Sequence, residues 1–300
     1  MQLVLGGIFV LLVVATASIF VLRRLRPQLD VAELAARVRS WWIMAVVFTV
    51  ALVLNRAVSL VFFTFVSFLA FKEFLSVVPT RRADRRVLFW AYLAIPVQYL
   101  WIAYEWYGMF IVWIPVYAFL FLPLRMVLIG ETDGFLRAAG VLHWGLMTTV
   151  FSISHVAFLL VLPGDGSGAA LVLYLVVLTQ LNDVAQYVWG RLFGKRRAVP
   201  RVSPNKTVAG FVGGVLTTLA LAWLLGPVLT PLTSPERVAA GLIIGVGGFV
   251  GDIVISSIKR DLKIKDAGSM IPGHGGILDR LDSLTYTAPL FFHFVRYFHF

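Results

Sequence analysis

Residues 3–22 read LVLGGIFVLLVVATASIFVL, an unbroken stretch without a charged side chain. Coiled as a helix it is about 30 Å long, the thickness of a bilayer's hydrocarbon core. No small-residue cleavage pattern follows it. Arg23, Arg24 and Arg26 follow instead, so the segment is expected to be a retained helix. Predominantly apolar stretches recur at 41–54, 57–75, 88–104, 107–128, 141–162, 169–189, 208–229, 238–258 and 284–298. The sequence therefore predicts an all-α, polytopic membrane protein with about ten transmembrane helices. We divide it into N-terminal transmembrane helices over 1–140 and a C-terminal transmembrane region over 141–300. Residues 23–39 are polar with apolar positions at helical spacing, and are expected to lie along the membrane interface.

Composition agrees with this class. The 300 residues are 60% hydrophobic and 14% charged, where a soluble domain carries about 25% charged residues. Lipid must be the solvent for much of this surface. The absence of cysteine excludes disulfides, thiolate metal sites and cysteine nucleophiles. The formal net charge is +11, concentrated in loops near 23–39, 80–86, 190–206 and 259–282. With the N-terminus outside, all four basic loops fall on the cytoplasmic side. The turns at 163–168 and 226–236, nearly free of Lys and Arg, then fall on the other side. No basic stretch forms a nucleic-acid-binding motif, and nucleic acid is not an expected partner.

In such a chain the informative residues are those that hydrocarbon excludes. Arg56 sits at a turn and reads as interfacial. Lys72-Glu73 closes a span, where pairing or interface exposure explains it at least as well as catalysis. Glu105 falls at an outer turn and reads as solvated. His143, His155, His293 and His299 lack ligand-spaced partners and read as packed or interfacial. The second half differs. Asn182, Asp183 and Gln186 lie in an otherwise apolar span, and Asp252 lies in GVGGFVGDIVISSIKR, residues 245–260. Asp252, Ser256 and Lys259 are spaced i, i+4, i+7 and share a helical face. A structural ion pair of Asp252 with a nearby base is the competing explanation.

Beyond that face comes SSIKRDLKIKDAGSMIPGHGGILDRLD, residues 256–282. It combines Lys259, Arg260, Lys265 and Arg280 with Asp266, Asp279 and Asp282, and sets glycines around His274. This suits phosphate chemistry. Carboxylates bind Mg²⁺, cationic side chains neutralise phosphates, and glycines let backbone approach them. A second basic cluster occupies 190–207 and includes Ser203, Pro204 and Lys206; Ser203-Pro204 before a span reads as a helix start. The P-loop, GxSxG and HExxH motifs are all missing.

Residues 256–282 resemble the signature of the phosphatidate cytidylyltransferase (CDP-diacylglycerol synthase) family. Ser256, Lys259, Arg260, Lys265, Asp266, Gly268, Pro272, His274, Gly275, Gly276, Asp279, Arg280 and Asp282 fill its specified positions. SPNKT, residues 203–207, resembles a second conserved region, and the likeness extends over 179–282. The first half matches only in being a series of spans. Two departures stand out. Val208-Ala209-Gly210 replaces the usual Trp-Glu-Gly, and Gln186 precedes Tyr187 where the family has Ala. The missing Glu and the extra Asn182 and Gln186 are compatible with a divergent paralogue whose lipid or alcohol-phosphate acceptor has changed, while the intact signature implies that the chemistry is retained.

The resemblance implies transfer of a cytidylyl group from CTP to phosphatidic acid, giving CDP-diacylglycerol and pyrophosphate. It implies Mg²⁺, with a monovalent cation such as K⁺ nearby, and a homodimer in a bacterial inner membrane whose site faces the cytoplasm. Under it, Asp252, Lys259, Asp279 and Asp282 are catalytic, and Asp183, Asp252, Asp279 and Asp282 hold metal. Ser203, Lys206, Ser256, Arg260, Lys265, Asp266, His274 and Arg280 contact substrate. The alternatives are cytidylyl transfer to a different lipid phosphate, a CTP-dependent lipid-alcohol or polyprenol kinase, and a transporter using the acids as an ion path.

Overall fold

The computed structural model describes residues 1–25, 28, 31–162, 167–268, 270 and 275–300, apart from the side chain of Arg82. Helices dominate: α1 (Gln2–Leu25), α2 (Ala32–Leu54), α3 (Arg56–Val77), α4 (Arg85–Ala103), α5 (Tyr107–Val127), α6 (Phe135–Leu159), α7 (Gly168–Phe193), α8 (Val208–Leu229) and α9 (Ser234–Asp261). Among the described residues these nine are long and apolar enough to cross a bilayer. The short α10 (Leu278–Leu281) leads into α11 (Leu284–His299). That last helix has 16 residues, about 24 Å of rise, so the tenth expected span is shorter than the rest. The protein is an integral membrane protein.

Two expectations are corrected. From Ala32 onward the stretch expected to lie along the interface is the opening of α2 and continues into the span. The Ser203-Pro204 element does not start a helix. Arg197–Val199 and Ser203–Thr207 form an antiparallel hairpin, β1 and β2, with Val199 opposite Ser203. The helix begins only after Thr207, whose hydroxyl accepts the Gly210 N–H at 3.0 Å as an N-cap.

Packing divides the bundle. The first half meets the second through a core containing Phe71, Phe110, Phe158, Tyr174, Phe291 and Phe292. Helix α5 carries a π-helical turn over Trp113–Ala118, and α6 one over Met147–Phe151. The helices α7, α8 and α9 pack instead through small residues. A Cβ on Gly213 would lie 2.3 Å from Trp189, and one on Gly241 2.9 Å from the Leu219 backbone, so glycine permits these approaches. Asn182 ties the three together. Its Nδ2 donates to the Gly245 carbonyl at 3.2 Å, and Thr218 donates to its Oδ1 at 3.0 Å. Asn182 therefore has a packing role.

Contacts between loops fix their sidedness. Arg56 pairs with Glu105 at 2.7 Å, joining the α2–α3 and α4–α5 turns. Arg81 donates to the carbonyls of Glu131 and Asp133, joining the α3–α4 and α5–α6 loops on the opposite side. His155 is fully buried, with its Nδ1 2.7 Å from the Phe151 carbonyl. It is a packed histidine.

Candidate active site

The polar residues of the second half gather where α7 and α9 end. Asp252, Ser256 and Lys259 do share a face of α9, and that face serves two partners. At its deeper end Asp252 Oδ2 lies 2.6 Å from Lys206 Nζ, and Ser256 donates to Asp252 Oδ1 at 3.1 Å. Lys206 reaches in from β2. Its ammonium also donates to Gln186 Oε1 at 3.1 Å and sits over the Phe249 ring, 5.0 Å from the centroid. At the outer end Lys259 Nζ lies 2.8 Å from Asp279 Oδ1. Asp279 Oδ2 accepts the N–H groups of Ala267 at 2.9 Å and Gly276 at 3.0 Å. The signature loop is thus folded around one carboxylate.

Between the pairs stand two more acids. Asp183 Oδ1 accepts the Ser283 hydroxyl at 3.1 Å, and Asp282 Oδ1 accepts the Ser283 N–H at 2.8 Å. Burial, then the neighbouring carboxylates of Asp252 and Asp183, push the Asp282 carboxyl well above its usual range, with Lys259 opposing. Acids held this close favour a bound cation. Among the described residues, however, no three His, Asp or Glu side chains are grouped as a metal site. The donor chemistry still distinguishes them. Asp183, Asp252 and Asp282 offer carboxylate oxygens of the kind Mg²⁺ takes. Asp279 has both oxygens engaged by Lys259 and two backbone N–H groups.

The other expected residues are spread around this centre. Arg280 is half-buried, and its Nε has no hydrogen-bond partner among the described residues. Arg260 donates to the carbonyls of Val202 at 3.1 Å and Ile264 at 3.4 Å, tying the end of α9 to the hairpin. Ser203 opens β2 half-buried, and Lys265 and Asp266 are exposed on the loop. His274 and Pro272 lie outside the described residues. Gly275 adopts φ 77°, the left-handed region that glycine favours.

Two residues outside the expected set belong here. Gln186 is buried, and its Nε2 has no partner while its Oε1 holds Lys206. Glu73, on α3, touches the signature loop from the first half of the chain. Neither has a motif of its own. Gln186 was visible only as a polar residue in a span, and nothing in the sequence ties Glu73 to a loop some two hundred residues away.

With this geometry in place, comparison with known proteins is informative. The profile of the Cytidylyltransferase family matches residues 35–298. The chain belongs to the cytidylyltransferase family. Within or beside it, the chain is 44% identical to the uncharacterized protein YnbB of Escherichia coli (strain K12), over 98% of this chain and 97% of that one. It is 39% identical to the phosphatidate cytidylyltransferase of Bacillus subtilis (strain 168), over 43% of this chain and 48% of that protein. The Haemophilus influenzae phosphatidate cytidylyltransferase is 39% identical over 42% of this chain and 46% of its own length. The chain therefore spans about half the length of these named enzymes but nearly all of YnbB. The family match takes in α3, which carries Glu73, as well as the signature loop.

Proposed function

We propose that this protein transfers the cytidylyl group of CTP to phosphatidic acid, with its site facing the cytoplasm of a bacterial inner membrane. The observation that carries the proposal is the meeting of two partly buried Lys–Asp pairs, Lys206–Asp252 and Lys259–Asp279, with Asp183 and Asp282 at one end of the helices. Family membership and the names of the half-length relatives support the nucleotide and the acceptor. The orientation is supported by the basic loops, which share a side with this site.

A phosphate oxygen of the lipid attacks the α-phosphorus of CTP. The new P–O bond forms as the α–β anhydride bond breaks, and pyrophosphate leaves. The attacking oxygen is already anionic, so positioning and charge neutralisation carry the reaction rather than a general base. Lys206, Lys259 and Arg280 are the cations placed to hold phosphates. Asp183, Asp252 and Asp282 would hold Mg²⁺, which when bound neutralises charge on the triphosphate. Lys206 then has a choice between Asp252 and a phosphate, and substrate entry exchanges one for the other.

The test uses purified protein in detergent with CTP labelled at the α-phosphate, phosphatidic acid, and Mg²⁺ or EDTA. Label in CDP-diacylglycerol with release of pyrophosphate, dependent on Mg²⁺, is the expected result. Release of CDP with γ-phosphate transfer would establish a kinase instead, and uptake into proteoliposomes without CTP turnover a transporter. A second reading, the same transfer to another lipid phosphate, is favoured by Gln186, which adds an unpartnered buried donor beside Lys206. A panel of lipid phosphates differing in backbone separates the two acceptors.

A further inference from the structure

Glu73 lies near the end of a long apolar helix, yet among the described residues its carboxylate forms no ion pair. Its side chain is buried, and its two oxygens accept backbone N–H groups from the far half of the chain: Oε2 from Ile277 at 2.9 Å and Oε1 from Leu278 at 3.1 Å. These N–H groups stand at the start of the single turn α10, and the two carboxylate oxygens supply the acceptors they need. The fit around the carboxylate is close. A Cβ on Gly276 would lie 1.8 Å from Glu73 Oε1, and one on Gly268 2.9 Å from its Oε2. Two glycines of the signature loop, Gly268 and Gly276, thus leave room for a side chain that comes from α3. The residue after Leu278 is Asp279, which binds Lys259 and the Gly276 N–H. Beneath lies a small separate core in which Phe74, adjacent to Glu73, meets Ile255, Ala267 and Leu278.

We infer that Glu73 is a positioning residue: it clamps the signature loop onto α3 and thereby sets Asp279 and Lys259 for the reaction. The catalytic unit then includes the first half of the chain, and a fragment without α3 lacks one wall of the site. The catalytic part of this inference rests on the cytidylyl-transfer reading; the clamp itself does not.

The experiment uses the full chain and separates the two. Hydrogen exchange of the Ile277 and Leu278 amides reads the clamp without any turnover. In Glu73→Gln, which has the same shape but one acceptor oxygen, these amides should exchange at least 10-fold faster, with α8 and α9 unchanged. Turnover should fall at least 10-fold in kcat with KM for CTP changed less than threefold. Gly276→Ala should lose a similar factor by striking the carboxylate. In Glu73→Ala that obstacle is gone, so adding Gly276→Ala should cost little more. Unchanged exchange and wild-type kcat in Glu73→Gln would overturn the inference, as would losses that multiply in the double variant. Loss of folded protein in Glu73→Gln also counts against it, because the clamp belongs to the loop rather than to the bundle. If wild-type protein makes no CDP-diacylglycerol while the exchange result holds, the proposed reaction fails and the clamp stands.

Discussion

The two Lys–Asp pairs occupy neighbouring regions and are built differently. On the hairpin side, Asp252 and Lys206 retain 24% and 16% side-chain exposure, and the second Asp252 oxygen accepts the Ser256 hydroxyl. On the signature-loop side, Asp279 and Lys259 retain 4% and 13%, and the second Asp279 oxygen is held by two backbone N–H groups. Removing one member of a buried pair strands the other charge, at a cost of about 3–5 kcal/mol. A pair nearer water loses less and exchanges partners more readily. Under the proposed reaction the difference predicts two roles: the signature-loop pair would fix the shape of the site, and the hairpin pair would be the one that substrate opens.

The sharpest way to break this distinction is Asp279→Asn. The amide cannot match both the Lys259 ammonium and the two N–H donors, so turnover should fall by roughly 1,000-fold, the scale of losing a preorganised electrostatic element. The helical bundle should remain folded, as checked by gel filtration and circular dichroism. An active Asp279→Asn protein would sink the assignment of the signature-loop pair as the rigid one.

A smaller effect is expected on the other side. Lys206→Met leaves Asp252 near water and near Ser256, so folding should be little affected. Its phosphate contact is lost, and kcat/KM for CTP should fall about 100-fold, or about 2.7 kcal/mol. An equal loss of turnover in Lys206→Met and Asp279→Asn would erase the contrast between the pairs. Gln186 refines it further. Gln186→Glu keeps an oxygen for Lys206 but removes the Nε2 donor, whereas Gln186→Met removes both. If the donor selects the acceptor, both variants should lose about 10-fold in kcat/KM for the lipid, measured in mixed micelles. Near-normal lipid kinetics in Gln186→Glu would reduce Gln186 to a support for Lys206.

Legibility in the sequence followed the same physics. Spans were legible because hydrocarbon demands long apolar stretches, and the face of Asp252, Ser256 and Lys259 because helical spacing is local. The pairing of that face with Lys206 and Asp279 required tertiary contacts that no spacing encodes. The hairpin was misread as a helix start, since Ser-Pro serves both, and pairing with 197–199 decided the strand. The polar opening of α2 was misread because amphipathic and spanning helices share their periodicity there. Glu73 was the largest omission. An acid beside a lysine at a membrane boundary suggests solvation, and only the fold reveals two N–H groups waiting above it.

The smallest predicted effect concerns Asp282, which lies between the two pairs and outside the spans. Its folded-state pKa is raised, first by burial and then by Asp252 and Asp183. The folded protein therefore holds a proton at pH values where the unfolded chain has lost it. Stability must then fall as pH rises from the ordinary carboxylate range through the raised value, and level off above it. The slope reaches about 1.4 kcal/mol per pH unit while one such proton is released. In EDTA, thermal midpoints of the wild type should decline over this window, and those of Asp282→Asn should decline less. Mg²⁺ should reverse the decline at the alkaline end by replacing the missing proton with a cation. A flat wild-type profile in EDTA, or the same slope in Asp282→Asn, would remove Asp282 from the acidic centre and leave the two pairs as independent clamps.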